Sequence, residues 1–284
     1  MSKAVVSDTP RHIWLCADDY GLSRAVNAGI RDLIVRGRIN ATSVMVVAPH
    51  FERADAASLK VLNADIRRAA VGLHLTLTAP FKPLSASFAP QRDGAFLPLA
   101  SLLRAALLRR LRYDLLSVEI ARQLHAFAAA FGQAPDFIDG HQHVHVFPQV
   151  RDAVLAVARE AAPDAWLRQC GHATPFWQRW GDRKGLLLDW LSLGFRRRAR
   201  RLGLRINPAF AGTYDFAADA DYSALFPRFL QRLPAGGLIM CHPGFVDAEL
   251  KRLDPLTALR EKEYAYFSGE AFPRLLAQHG LTLA

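Results

Sequence analysis

The chain has 284 residues, 51% of them hydrophobic and 22% charged, which excludes a disordered tail protein and suffices for one large domain or two small ones. Its 36 Lys and Arg against 26 Asp and Glu give a net charge of +10, which points to an anionic partner: nucleic acid, a membrane surface or an acidic substrate. Cys16, Cys170 and Cys241 are too far apart for a C-x-x-C zinc or redox motif, and with no apolar signal core or spanning run the expectation is a soluble or peripheral protein of the cytoplasm.

Short apolar runs alternate with longer segments of helical period, the pattern of β-α units around a parallel sheet. Residues 12–17 read as a first buried strand, and after Gly21 the hydroxyl of Ser23 can cap a helix that runs through Arg36 and stops at Gly37. Strands are expected at 42–48 and 71–78, followed over 78–98 by a long loop rich in proline, a type that often carries function. Helices at 99–111 and 115–131 lead to a strand at 137–146 and a helix at 148–162, whose first turn suits Pro148. Further strands read at 166–170, 206–209 and 238–241, and helices at 222–233, 256–267 and 270–279. About seven strands interleaved with helices, and no glycine-rich phosphate fingerprint after the first, predict an α/β barrel spanning 1–284 rather than a dinucleotide-binding sheet. Its chemistry should lie at the carboxyl ends of the strands.

Polar residues fall at those ends. Asp18 and Asp19 close the first strand, and adjacent carboxylates repel unless a cation or a shared proton relieves them. His74 lies among leucines in the third strand, where a lone histidine is more often a hydrogen-bonded core residue than a ligand. In Asp139-Gly140-His141-Gln142-His143-Val144-His145, an extended chain would put residues 139, 141, 143 and 145 on one face. His242 follows the strand at 238–241, ahead of a Pro-Gly turn. Carboxylates and histidines at four strand ends have the composition of a hydrolytic metal centre with open positions for water and substrate.

These segments, Ala17-Asp18-Asp19-Tyr20-Gly21-Leu22-Ser23, Gly72-Leu73-His74, Asp139 to His145 and Met240-Cys241-His242-Pro243, resemble in order the four motifs of the YdjC-like carbohydrate deacetylases, which include chitooligosaccharide deacetylases and hopanoid-biosynthesis-associated deacetylases. The resemblance implies a distorted (β/α) barrel related to polysaccharide deacetylases, acting on N-acetylated amino sugars. It also implies Asp19, His74 and His141 as ligands of one divalent metal ion, Mg2+ or Zn2+, Asp18 as catalytic base, and His242 as the histidine that assists the leaving group. His143 and His145 belong to the motif and are assigned no ligand role; they are candidates to support the ligands or to face the substrate. A metal-dependent phosphoesterase and a non-catalytic glycan- or lipid-binding protein are the rival classes. Arg260 and Glu263, one helical turn apart, can pair with each other or brace the site.

The charge is local. Between residues 176 and 205, Arg179, Arg183, Lys184, Arg196, Arg197, Arg198, Arg200, Arg201 and Arg205 face only Asp182 and Asp189, so this segment carries +7 of the +10. It also holds Trp177, Trp180 and Trp190. Two readings stay open: an interfacial helix resting on anionic lipid at the inner face of a membrane, or a helical hairpin whose leucines pack on the barrel while its arginines face water. The insert favours a lipid-linked glycan or glycolipid precursor as substrate over a soluble chitooligosaccharide, and no nucleic-acid module is recognised. A second basic run, Arg104, Arg109, Arg110 and Arg112, extends the patch or forms a solvated helix face.

Overall fold

A computed structural model describes residues 10–49, 51–175, 177, 179, 181–217 and 219–283. In chain order its strands are β1 (Arg11–Tyr20), β2 (Ala41–Val44), β3 (Ala70–Leu75), β4 (Gln91–Arg92), β5 (Ala95–Phe96), β6 (Phe137–Gly140), β7 (Trp166–Leu167), β8 (Phe210–Ala211), β9 (Leu238–Cys241) and β10 (Leu281–Leu283). The main sheet runs β7-β6-β3-β2-β1-β9-β8, parallel throughout, and β10 pairs with the first residues of β1. Every residue of β2, β3, β6 and β9 is buried, as expected of parallel strands covered on both faces.

The two edges of this curled sheet meet, which makes it a distorted barrel. Leu167 bridges Ile206 and His172 bridges Phe210, with Leu167 N–H donating to the Arg205 carbonyl at 2.9 Å. The expected strands at 166–170 and 206–209 are therefore irregular seams rather than full ladders. Pro208 has no N–H to offer, and the Asn207 side chain takes over, accepting from Gln169 N–H at 2.7 Å and donating to the Gln169 carbonyl at 3.1 Å.

The helices are α1 (Arg24–Val35), α2 (Arg53–Leu62), α3 (Leu99–Leu107), α4 (Tyr113–Phe131), α5 (Val150–Ala161), α6 (Arg183–Arg201), α7 (Tyr222–Leu230), α8 (Ala248–Leu253), α9 (Ala258–Ser268) and α10 (Ala271–Gln278). Ser23 caps α1 as expected, its side chain accepting from Val26 N–H. The helix α2 has no counterpart in the sequence reading. Its capping box uses Glu52 and Asp55 in place of the usual Ser or Thr start. Among the described residues, no helix is long and apolar enough to cross a membrane.

The helix α6, which carries most of the basic segment, is built into the core on one side: Leu188, Leu191, Phe195 and Ala199 are buried, and the His145 ring meets Phe195 edge-on at 5.7 Å. Phe176 and Trp180, part of the basic segment read from the sequence, lie outside the described residues.

The histidine-rich segment departs from the period-two expectation. Extended structure ends at Gly140, and residues His141–Val146 form a 3-10 turn with Gln142 and His143 in the left-handed region, at φ 53° and 60°. The three histidines therefore do not share a face. Gly140 permits the reversal, since a Cβ there would lie 2.8 Å from His145 Nδ1.

Candidate active site

The two carboxylates at the end of β1 are separated by a break in the ladder. Pairing of β1 with β2 shifts register between Ala17 and Tyr20, and Asp19 sits at φ 69°, a left-handed conformation that Asp tolerates. Bulges of this kind re-aim side chains beside active sites. Asp18 and Asp19 consequently serve different neighbours, although both are buried.

Asp19 gathers the expected metal donors. Its Oδ1 lies 3.2 Å from His74 Nε2 and 3.0 Å from His141 Nδ1, and its Oδ2 accepts from Arg260 at 2.7 Å. The three donor atoms lie within 4.8 Å of one another, close enough to hold one ion. The far side of the His74 ring is fixed: Nδ1 is 2.6 Å from Asp139 Oδ1 and 2.9 Å from Ser43 Oγ, which leaves Nε2 for the ion. A carboxylate behind a ligating histidine orients the ring and raises its basicity. Burial opposes a charge on His74, but Asp139 and Asp18 outweigh it and carry the imidazolium up to about 10, so in the metal-free chain a proton stands where the cation would. The His141 ring packs edge-on against Phe81, from the long loop after β3, at 5.8 Å.

A second acidic cluster, Cys16, Asp18 and Asp139, already contains a cation. Arg168 donates through both terminal nitrogens to Asp18 at 2.6 Å each, lies 2.5 Å from Asp139 Oδ2 and contacts Cys16 Sγ at 3.0 Å. Burial works against the Asp18 charge, yet the guanidinium prevails and holds the carboxyl well below the usual range. Asp19 is likewise held low against burial, by Arg260 and then His141. The sequence reading left the carboxylate repulsion to a metal or a shared proton; in the fold each Asp has its own arginine. Arg168 went unnoticed, although a charge inside the expected strand 166–170 was a signal. Of the two readings of Arg260 and Glu263 the structure has the brace and not the mutual pair: Arg260 bonds Asp19 and Asp254, while Glu263 turns to the backbone of His242.

Glu263 accepts from the backbone N–H of His242 at 2.5 Å and from the Tyr214 hydroxyl at 2.7 Å. Burial raises its carboxyl to about 7 against those two bonds. Burial also lowers His242, with Asp19 opposing, and its ring rests edge-on against Phe216 at 5.6 Å. The residue ahead of Tyr214, Thr213, meets His172 Nε2 at 2.7 Å, and Asp189 of α6 holds the opposite nitrogen at 3.0 Å. Neither His172 nor Thr213 was singled out in the sequence.

The other two motif histidines stand apart from the donor set. His145 is fully buried, donates from Nε2 to the Arg168 carbonyl at 2.8 Å, and is pushed by burial down to about 4. It braces the arginine clamp. His143 is half-buried at the rim, edge-on to Phe210 at 5.5 Å and 3.6 Å from Cys170 Sγ.

The strand ends therefore bring together three donors that could hold a cation, an ionised carboxylate clamped beside them, and a histidine at the next strand end. A model of the YdjC-like protein family matches residues 12–278. A chitooligosaccharide deacetylase of Citrobacter koseri is 28% identical over 94% of this chain and 89% of its own. One from Klebsiella pneumoniae is 30% identical over 85% and 89%. Among solved structures, an Enterococcus faecalis protein named for cellobiose-phosphate cleavage superposes with a TM-score of 0.73 at 21% identity, covering 97% of both chains. A peptidoglycan N-acetylglucosamine deacetylase superposes at 0.50 and 10% identity, over 96% of this chain and 85% of that one. The barrel is thus shared with polysaccharide deacetylases.

Proposed function

The chain belongs to the YdjC-like protein family, and from that premise we propose that it is a metal-dependent carbohydrate N-deacetylase, which hydrolyses the acetamide of an amino sugar to acetate and a free amine. The observation that carries the reading is the convergence of Asp19 Oδ1, His74 Nε2 and His141 Nδ1 beside the clamped carboxylate of Asp18. A Zn2+ or Mg2+ ion bound there supplies carbonyl polarisation and a more acidic water, which a base as weak as arginine-paired Asp18 requires.

Within this reading Asp18 takes the proton of the attacking water. Arg168 fixes the direction of both its oxygens. His242 protonates the departing sugar nitrogen, and because burial weakens its hold on a proton it is a strong donor once charged. Glu263 and Tyr214 keep its backbone in place. The guanidinium in the second acidic cluster speaks against a two-metal phosphoesterase, since a second ion would have to displace Arg168.

The excess charge of segment 176–205 supports a finer reading, in which the amino sugar is carried on a lipid or glycolipid precursor met at a membrane face, rather than on a soluble chitooligosaccharide. The test is acetate release from N-acetylhexosamines with and without a lipid anchor. Asp18→Asn is expected to retain metal yet lose nearly all turnover, whereas His74→Ala loses metal as well. Near-normal turnover in Asp18→Asn removes that residue from the mechanism, and phosphate release without acetate release overturns the class.

A further inference from the structure

The two faces of α6 differ in kind. Its inner face is part of the core, whereas Leu187, Trp190 and Leu193, at helical spacing on the outside, are 40%, 57% and 44% exposed. Basic residues stand at both ends of this apolar stripe: Arg183 and Lys184 before it, Arg197, Arg200 and Arg201 after it, all exposed. Nineteen residues of helix make a surface about 28 Å long.

A second segment joins the same surface. The Gln149 side chain, at the start of α5, accepts from Leu111 N–H at 3.0 Å and donates to the Leu111 carbonyl at 2.7 Å, which fastens the corner between α3 and α4 to α5. That corner exposes Leu107 and Leu108 beside Arg109 and Arg110. Arg109 and Arg198 both bear on Arg151, whose guanidinium lies against the backbone of Gly194 in α6. Asp152 serves two of these cations, 2.6 Å from Arg198 Nε and 3.7 Å from Arg151 Nε. Two guanidinium groups thus share one carboxylate, with the charge of Arg109 close by, in a patch that also presents aliphatic and indole side chains.

From this juxtaposition we propose that the outer face of α6 and the α3–α4 corner together form a docking surface for an anionic lipid bilayer, with leucines and Trp190 entering below the headgroups and the arginines meeting lipid phosphate. Charge alone would suit many polyanions. The exposed aliphatic stripe between the charges is the feature that selects lipid, because it gains nothing from a hydrated phosphodiester chain. The placement also fits a lipid-borne substrate: Asp189, the residue before Trp190, holds His172, whose other nitrogen meets Thr213 beside Tyr214, so α6 is tied directly to the segment that supports Glu263 and His242. The surface rests on exposure and charge and is independent of the deacetylase reading.

The experiment is co-sedimentation of the full chain with vesicles of phosphatidylcholine alone, and of phosphatidylcholine with about a third phosphatidylglycerol. Binding to the anionic vesicles is expected, with weak binding to the neutral ones and loss at high salt. Replacing Arg197, Arg200 and Arg201 by Ser should lower the partition coefficient about 100-fold, about 5-fold per charge, and replacing them by Lys should retain it. Trp190→Ser with Leu193→Ser should lower it at least ~10-fold. Acetate release from a soluble N-acetylhexosamine should be unchanged in every variant, which separates failure of the surface from failure of the catalytic reading. Equal binding to neutral vesicles, indifference to either set of substitutions, or displacement from anionic vesicles by a short oligonucleotide at stoichiometric concentration would overturn the proposal.

Discussion

Replacing Arg168 by Met should show what the buried guanidinium contributes. The side chain is fully buried and is shared by Asp18, at 2.6 Å through two nitrogens, and Asp139, at 2.5 Å. At an effective dielectric of about 20, each charge pair is worth about 4 kcal/mol before desolvation. Removing the cation alone leaves two carboxylates buried, and breaking such an arrangement costs about 3–5 kcal/mol. The sign of the pH dependence is fixed by Asp18. In the native protein its carboxyl lies below the ordinary 3.8, so its contribution is present above that value and is lost as pH falls through the lower, folded one. In Arg168→Met the buried carboxyls are pushed upward instead, the folded state binds protons that the unfolded chain has released, and stability falls as pH rises. The deficit should therefore widen between about pH 5 and about pH 7. Urea unfolding followed by circular dichroism, in chelator, measures it. The double variant with Asp18→Asn should recover about half, because Asp139 remains uncompensated except by His74. A deficit below about 1 kcal/mol at neutral pH, or one that does not change with pH, refutes the reasoning.

Two other positions give separate readouts. Asp139→Asn removes the carboxylate behind His74 and should weaken metal binding about 10- to 100-fold by isothermal titration, while an unchanged Kd would mean that the ring needs no such support. In the unaltered chain, binding must displace the proton that His74 keeps up to about 10, so affinity should rise with pH across neutrality and the heat should depend on the buffer. Glu263, raised to about 7 from 4.5, makes the folded state bind more protons than the unfolded one between those values, so its contribution to stability declines as pH rises through that window. Tyr214→Phe removes a bond to the ionised form, should cost about 1 kcal/mol and should carry the decline to higher pH; superimposable urea midpoints across the range would contradict this.

The barrel was legible because it is encoded by local pattern, apolar runs of strand length with polar residues after several of them; the set Asp19, His74 and His141 followed from the resemblance of the motifs, and the fold brings those three together. What escaped the sequence was long-range pairing. Arg168 and Asp18 are 150 residues apart, and Arg260 and Asp19 are 241 apart, so no spacing rule joins them. The rule that spacing does supply, a helical-turn pair, matched Arg260 with Glu263, whereas the fold sends one to a carboxylate and the other to the backbone of His242. Period two failed at His141 for a related reason. It assumes an extended chain, and the two left-handed residues that follow His141 are paid for by tertiary contacts, including His145 with the Arg168 carbonyl. These pairings change the ground for the metal. Adjacent carboxylates seemed to demand a cation, but two guanidinium groups already meet that demand. The case for an ion rests instead on a narrower fact: Asp19 Oδ1 and two imidazole nitrogens converge on one point, with the far side of His74 held by Asp139 and the far oxygen of Asp19 held by Arg260. Repulsion alone could be relieved by either arginine; convergence of three lone-pair donors is what a metal ion requires.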